Sequence, residues 1–402
     1  MKKSLIALAA LAALAAVSAA TAQSSVTMYG VVDTGYGYKK NTVKLPLISG
    51  AKLQTSSWGV NSGTLQGSRL GFKGEEALGN GLSAVFALEM GFDSASGATK
   101  SAFDRRAVVG LKGSFGEVLV GRDGTPLNEW SGSYKAVDGT DTFPAALDGV
   151  DVSGLSLGSV LGMSASYTGR TSGLFYNGAF SGVNVRAVLG HNGSTTKVGG
   201  AETGKTNSTV VGVSMDYATG PLSVGGVLQH ETGKAPVGGL VGTLFPGVFS
   251  YDMTKTDWGL GASYELNVAK LYGEYKGGQV KTKAYDGGAV WGGKLDFGKT
   301  THHQLAVGVA VPLGAATLGA EYAYNKADYT VPAAIMPSSP KFSAKGHEFA
   351  VQGNYAFSKR TDVYARIARS ADVKLKVRDA GVSHTILTGN TQQYTVGIRH
   401  KF

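Results

Sequence analysis

From residue 25 onward, apolar and polar positions alternate with a period of two, in runs of about ten residues. This is the spacing of β-strands whose two faces meet different surroundings. In Asp257–Leu266, Trp258, Leu260, Ala262, Tyr264 and Leu266 alternate with Asp257, Gly259, Gly261, Ser263 and Glu265. Ser68–Lys73, His347–Phe357 and the closing Gln392–Phe402 repeat the pattern. Sixteen segments are predicted: 25–38, 65–74, 81–92, 102–113, 116–122, 169–177, 182–190, 207–218, 221–231, 256–266, 270–280, 302–312, 315–326, 346–357, 361–371 and 391–401. Turns such as Ser114-Phe115, Thr219-Gly220 and Leu313-Gly314 join them on one side. Long connections, at 39–64, 123–168, 232–255, 281–301, 327–345 and 372–390, join them on the other. An even count puts both chain ends on the short-turn side.

Strands of this kind suit either a soluble sandwich or a closed membrane barrel. A sandwich fills its core with bulky branched side chains. Here the face opposite the apolar one is charged, small and rich in glycine, and no helical segment offers to cover a second apolar face. A barrel with lipid outside and a polar lumen inside fits better, because closure leaves no unpaired backbone in the hydrocarbon. Tyr29, Tyr217, Trp258, Tyr264, Tyr322, Tyr355 and Tyr394 near segment ends are expected to form interfacial girdles.

Export is written into the first residues. Lys2 and Lys3 precede an apolar stretch from Leu5 to Val17, and Ala20-Thr21-Ala22 supplies a cleavage site. The expected organisation is a signal peptide over 1–22 and one β-barrel domain over 23–402. Downstream, Ala235–Tyr251 and Thr301–Ala320 lack Asp, Glu, Lys and Arg, but prolines or histidines interrupt both, so neither reads as a membrane-spanning helix.

Composition narrows the classes further. Glycine accounts for 60 of the 402 residues and charged side chains for only 16%. The chain has no cysteine, which excludes disulfides and thiolate metal sites. Of 38 basic residues, two leave with the leader, so 36 remain against 28 acidic ones, a net charge of +8. The basic residues are dispersed rather than clustered on one element, which argues against nucleic acid as a partner.

Several blocks resemble the trimeric general-diffusion porins of Gram-negative bacteria, in their betaproteobacterial branch. They are Ser24–Asp33, Ser68–Gly79, Phe115–Arg122, Tyr355–Tyr364 and Val396–Phe402. The resemblance implies an all-β fold: a 16-stranded antiparallel transmembrane β-barrel with short periplasmic turns, long external loops and an inward-folded third loop, here 123–168. It also implies a homotrimer in the cell outer membrane, in contact with lipid and lipopolysaccharide and inserted by the outer-membrane assembly machinery. The channel would pass small hydrophilic solutes and ions without cofactor, metal or catalysis.

The same resemblance sets acids of the third loop against arginines of the wall. The matching acids are Asp123, Glu129, Asp138, Asp141 and Asp148, and the matching arginines Arg69, Arg106 and Arg170. Arg366 and Arg399 fall on the lumen face by alternation alone. Tyr394 and the terminal Phe402 resemble the assembly signal of such barrels. Opposed charges across a narrow pore make a transverse field, and the net sign sets ion preference. The wall arginines and the positive balance favour anions weakly, while the loop acids pull the other way.

Other chemistries are weaker. Gly199–Thr206 matches a phosphate-binding loop in letters, but its flanks are polar and then β-type, without the strand before and helix after that the chemistry needs. His302 and His303 are strand neighbours and face opposite sides, so they cannot share a metal. A solute-specific channel, a barrel hydrolase and an adhesin stand as the alternative functions.

Overall fold

A computed structural model describes residues 25–46, 51–99, 101–137, 151–152, 155–156, 169–198, 201–236, 250–285, 294–333, 335 and 337–402. The first half of the barrel contains β1 (Ser25–Leu45), β2 (Ala51–Ser62), β3 (Arg69–Gly79), β4 (Leu82–Gly91), β5 (Arg106–Gly113) and β6 (Gly116–Gly124). A short helix, α1 (Pro126–Trp130), follows, and Asp151–Val152 (β7) pairs with Leu155–Ser156 (β8) apart from the barrel. The wall resumes with β9 (Arg170–Phe180), β10 (Val183–Val198), β11 (Ala201–Thr219), β12 (Leu222–Pro236) and β13 (Ser250–Glu265). It ends with β14 (Lys270–Tyr285), β15 (Lys294–Leu313), β16 (Ala316–Thr330), β17 (Lys341–Ala356), β18 (Thr361–Asp379) and β19 (Val382–Lys401).

Sequence neighbours pair antiparallel around the circuit, and β19 closes it on β1 from Val31↔Lys401 to Lys44↔Thr388. The barrel sheet has seventeen strands in sixteen positions. β2 and β3 share one position, because β2 pairs with the second half of β1 and β3 with its first seven residues. The sixteen-strand expectation therefore holds. Long connections differ from expectation: β1 runs on to Leu45, β14 to Tyr285 and β18 to Asp379, so much of 39–64, 281–301 and 372–390 is hairpin rather than loop. Outside the bilayer the outward face need not be apolar, so the signal fades while the ladder continues. Ala201–Thr206, part of the phosphate-loop look-alike, likewise lies in β11.

Outward positions carry the apolar band, with Val109, Leu189, Leu260, Leu305 and Val396 exposed. Their strand neighbours turn inward, so Val108 and Val188 are buried on the lumen wall beside Leu119 and Phe175. Tyr217, Tyr264, Tyr355 and Tyr394 are exposed on the outside, as an interfacial girdle requires. Tyr29 is a correction. It shares the inward parity of Val31 and Asp33, and Lys73 Nζ lies 5.7 Å from its ring centroid.

A buried carboxylate locks the junction between β2 and β3. Asp33 Oδ2 accepts from the Leu65 and Gln66 amides, each at 2.7 Å, and Oδ1 accepts from Tyr364 Oη at 2.7 Å. The Asp33 amide donates to Ser68 Oγ at 3.0 Å. One side chain thus ties β1 to β18 across β19 and fixes the crossing from 63 to 68.

Candidate functional site

The connection after β6 turns into the barrel. Thr125 caps α1, its Oγ1 accepting from the Asn128 amide at 3.4 Å, and Pro126 occupies the first turn, where no amide partner is needed. The helix then presents Leu127 and Trp130 to the far wall, where both are buried. Leu127 donates its amide to Gln229 Oε1 of β12 at 3.4 Å. Tyr134 Oη donates to Asp216 Oδ1 of β11 at 2.8 Å, and the Ala136 and Val137 amides donate to Glu321 Oε2 of β16 at 3.0 and 3.3 Å. Burial, and then the bond to Asp216, raises the Tyr134 hydroxyl well above the ordinary phenol range, so it stays a donor.

Glycines on inward faces make this approach possible. A Cβ on Gly259 would collide with the Trp130 ring, and one on Gly261 with the ring of Tyr134. Part of the glycine excess is therefore a floor for the loop rather than turn chemistry.

On the near side, a cavity of about 580 Å³ opens between the loop and the wall of β3 to β10. Arg69, Arg105, Arg106, Arg170 and Arg186 line it, with Glu89, Glu117, Asp123 and Glu129. Glu89 of β4 serves two guanidinium groups, Arg105 at 2.6 Å and Arg69 at 3.5 Å. Arg106 Nε lies 3.0 Å from Asp123 Oδ2. Among the described residues, Arg170 and Arg186 have no carboxylate within ion-pair distance, the 4.0 Å range in which the other three arginines sit.

The structure thus brings Arg69, Arg106, Arg170, Asp123 and Glu129 around one cavity. Asp123 differs in placement: it is a strand residue near the end of β6, paired with Thr171, and belongs to the wall rather than the loop. Glu129 projects from α1, where Asn128 Nδ2 donates to it at 3.1 Å. Asp138, Asp141 and Asp148 lie outside the described residues. Sequence reasoning missed Arg105, Arg186, Glu89 and Glu117. Arg186 and Glu89 were within reach of alternation, since Val188 and Ala87 beside them face inward. Arg105 was not, because it precedes β5 in a turn where Phe103 has φ 52° and alternation does not apply.

Remaining candidates fall elsewhere. Arg366 is buried, and Arg399 pairs with Asp362 through Nε at 3.0 Å and Nη2 at 2.8 Å. His302 points inward, 3.0 Å from Asp257 Oδ1, while His303 meets Tyr275 Oη at 3.1 Å on the outside. At the seam, Phe402 exchanges backbone hydrogen bonds with Gly30 at 3.0 and 3.1 Å, and Tyr394 lies beside Tyr38 on the outer surface.

A closed barrel with an apolar exterior, a charged lumen and a loop folded across that lumen is a transmembrane channel. The chain belongs to the Gram-negative porin family, whose model matches residues 7–374. An outer membrane porin of Bordetella pertussis is 30% identical over the full length of both chains, and outer membrane porin protein 32 of Delftia acidovorans is 32% identical, again over both in full. Among solved structures, the anion-selective porin from Comamonas acidovorans superposes with a TM-score of 0.60 at 26% identity, covering 94% of this chain and 100% of that one. OmpT of Vibrio cholerae in its trimer form shares the fold, with a TM-score of 0.55 at 16% identity over 94% of this chain and 99% of that one. This protein is thus an outer-membrane porin, a channel for small hydrophilic solutes and ions rather than an enzyme.

Proposed function

We propose that the channel prefers anions weakly and that its selectivity is set where Arg69, Arg106 and Arg170 face Asp123 and Glu129, with Arg105 and Arg186 on the same side. The observation that carries this reading is the charge balance of the cavity: five guanidinium groups against four carboxylates, with Arg170 and Arg186 unpaired among the described residues. An unpaired cation beside a narrow aqueous path lowers the energy of a passing anion, while the paired charges orient water and polar solutes. The similarity to an anion-selective porin supports the same sign. Single-channel recording across a KCl gradient tests it. The wild-type reversal potential is expected on the anion side, and Arg170→Ala with Arg186→Ala is expected to move it toward cations. An unchanged potential would take both arginines out of the selectivity site.

The same proposal includes removal of residues 1–22 on export, assembly as a homotrimer, contact with lipopolysaccharide, and recognition of Tyr394 and Phe402 by the assembly machinery. Cleavage is read by mass spectrometry of the protein purified from membranes, which should begin at Gln23.

A further inference from the structure

Toward the short turn at Ser114-Phe115 the inner wall changes character. Ladder pairing sets the inward side chains of β3 to β6 in rows across the strands. One row holds Gly71, Glu89 and Arg106, of which Glu89 and Arg106 line the cavity already described. The next is Lys73, Ala87, Val108 and Gly121, and after it come Glu75, Val85, Gly110 and Leu119. Lys112 and its cross-strand partner Glu117 then restore charge. Two rows of apolar and small residues thus lie between two charged ones, with Lys73 and Glu75 at the β3 margin. The apolar stretch continues around the wall, because Leu119 pairs with Phe175 and Phe175 with Val188.

A second cavity, of about 350 Å³, lies against these rows. Its apolar side is Val85, Ala87, Val108 and Leu119, and its cations are Lys73, Arg106 and Lys112. Arg106 and Glu117 line both cavities, so the two adjoin. Ala87, Val108 and Leu119 pack with Phe175, Val188 and Val210 into one buried cluster, which makes the backing fixed and dry. Two of the cations are already answered: Arg106 lies 3.0 Å from Asp123, and Lys112 lies 2.9 Å from Glu75. The cavity's other carboxylate, Glu117, stands opposite Lys112 as well. Lys73 differs. Its cross-strand partners are Thr27 and Ala87, its Nζ lies 5.7 Å from the Tyr29 ring centroid, and among the described residues it forms no ion pair.

An unanswered cation at the margin of an apolar backing suits a solute that is itself two-sided. We infer that this cavity is a second station of the pore, one that takes monocarboxylates with an apolar body, aromatic acids above all. The carboxylate sits at Lys73, with the Thr27 hydroxyl beside it as a donor, and the ring lies against Val85, Ala87 and Val108. Neighbouring strands are ~4.8 Å apart, so Ala87 and Val108, one and two strands from Lys73, fall within the reach of a single ring. A fully hydroxylated acid gains only the charge contact, because the backing offers its hydroxyl groups no partner and they keep their water. A neutral aromatic gains only the apolar contact. The inference rests on the anion preference proposed above and names a solute class for it.

The test places the purified full-length mature protein in a planar bilayer in KCl, adds benzoate, acetate or neutral benzyl alcohol, and reads the concentration that halves the single-channel current. Benzoate is expected to act at a concentration about tenfold or more below that of acetate and below that of benzyl alcohol. Equal values for benzoate and acetate would overturn the inference, since the backing would then add nothing. Equal values for benzoate and benzyl alcohol would overturn it too, since the cation would add nothing. Lys73→Gln is expected to raise the benzoate value about fivefold. An unchanged value would place benzoate among the guanidinium groups of the upper cavity and overturn the station. Val85→Thr, which keeps the side chain's shape, is expected to raise the benzoate value and leave that of acetate alone. An equal rise for both acids, or none for benzoate, would count against the apolar contact and overturn the inference. Current steps in KCl alone report whether each variant folds, and Lys73→Gln leaves the apolar cluster intact should Val85→Thr fold poorly. Reversal potentials are recorded without added acid, so loss of the anion preference and loss of this station would not be confused.

Discussion

A buried carboxylate is costly unless each oxygen finds a donor, and Asp33 shows how a single residue meets that requirement while tying three segments together. Tyr364→Phe removes one of its donors without changing shape, so it is expected to cost about 1.5–3 kcal/mol, read as a lower urea midpoint for loss of the folded form. An unchanged midpoint would mean that the hydroxyl bond adds nothing. In the lumen, Arg106→Ala leaves Asp123 without the guanidinium 3.0 Å away and removes one positive charge from the cavity. The reversal potential is expected to shift toward cations, and a variant matching the wild type would remove Arg106 from the selectivity site. Single residues were also where the sequence was least explicit. Alternation says which face Arg69, Arg186 and Arg366 take, but not at what height along the pore they stand. Arg186 reaches the cavity between the loop and the wall, whereas Arg366 is packed into the wall.

At the scale of elements, the strands within the bilayer were legible because lipid and water impose opposite demands on neighbouring positions. Their extensions were not, because above the membrane both faces meet water. The inward loop was legible as a long acidic connection, yet its anchoring was not. Nothing in the sequence says that Trp130 and Tyr134 would meet Gly259 and Gly261, residues well over a hundred positions away. The anchor makes a clear prediction. Trp130 is fully buried, so Trp130→Ala is expected to cost the loop about 3–5 kcal/mol of docking. Single-channel conductance and its noise should both rise. Deleting Gly132–Gly149 should raise conductance further, and a conductance equal to the wild type in both variants would place the constriction elsewhere.

For the whole molecule, the barrel separates a mixed-charge aqueous interior from an exterior rich in exposed apolar and aromatic side chains. The homotrimer proposal is tested by cross-linking the detergent-purified protein, which should yield a species of three subunits and conductance in triplet steps. Single steps with no cross-linked product would argue for a monomer. Closure has a further consequence, for time rather than for strength. The seam joins β1 to β19, and Gly30 meets Phe402, so the pairing that completes the barrel requires opposite ends of the chain to find each other. The entropy of that encounter is lost before any seam bond forms, and no partial circuit is free of two raw edges. Folding should therefore be slow and limited by the last step. A chain shortened by residues 391–402 is expected to stall as an open sheet that never reaches the heat-resistant form, however long it is given.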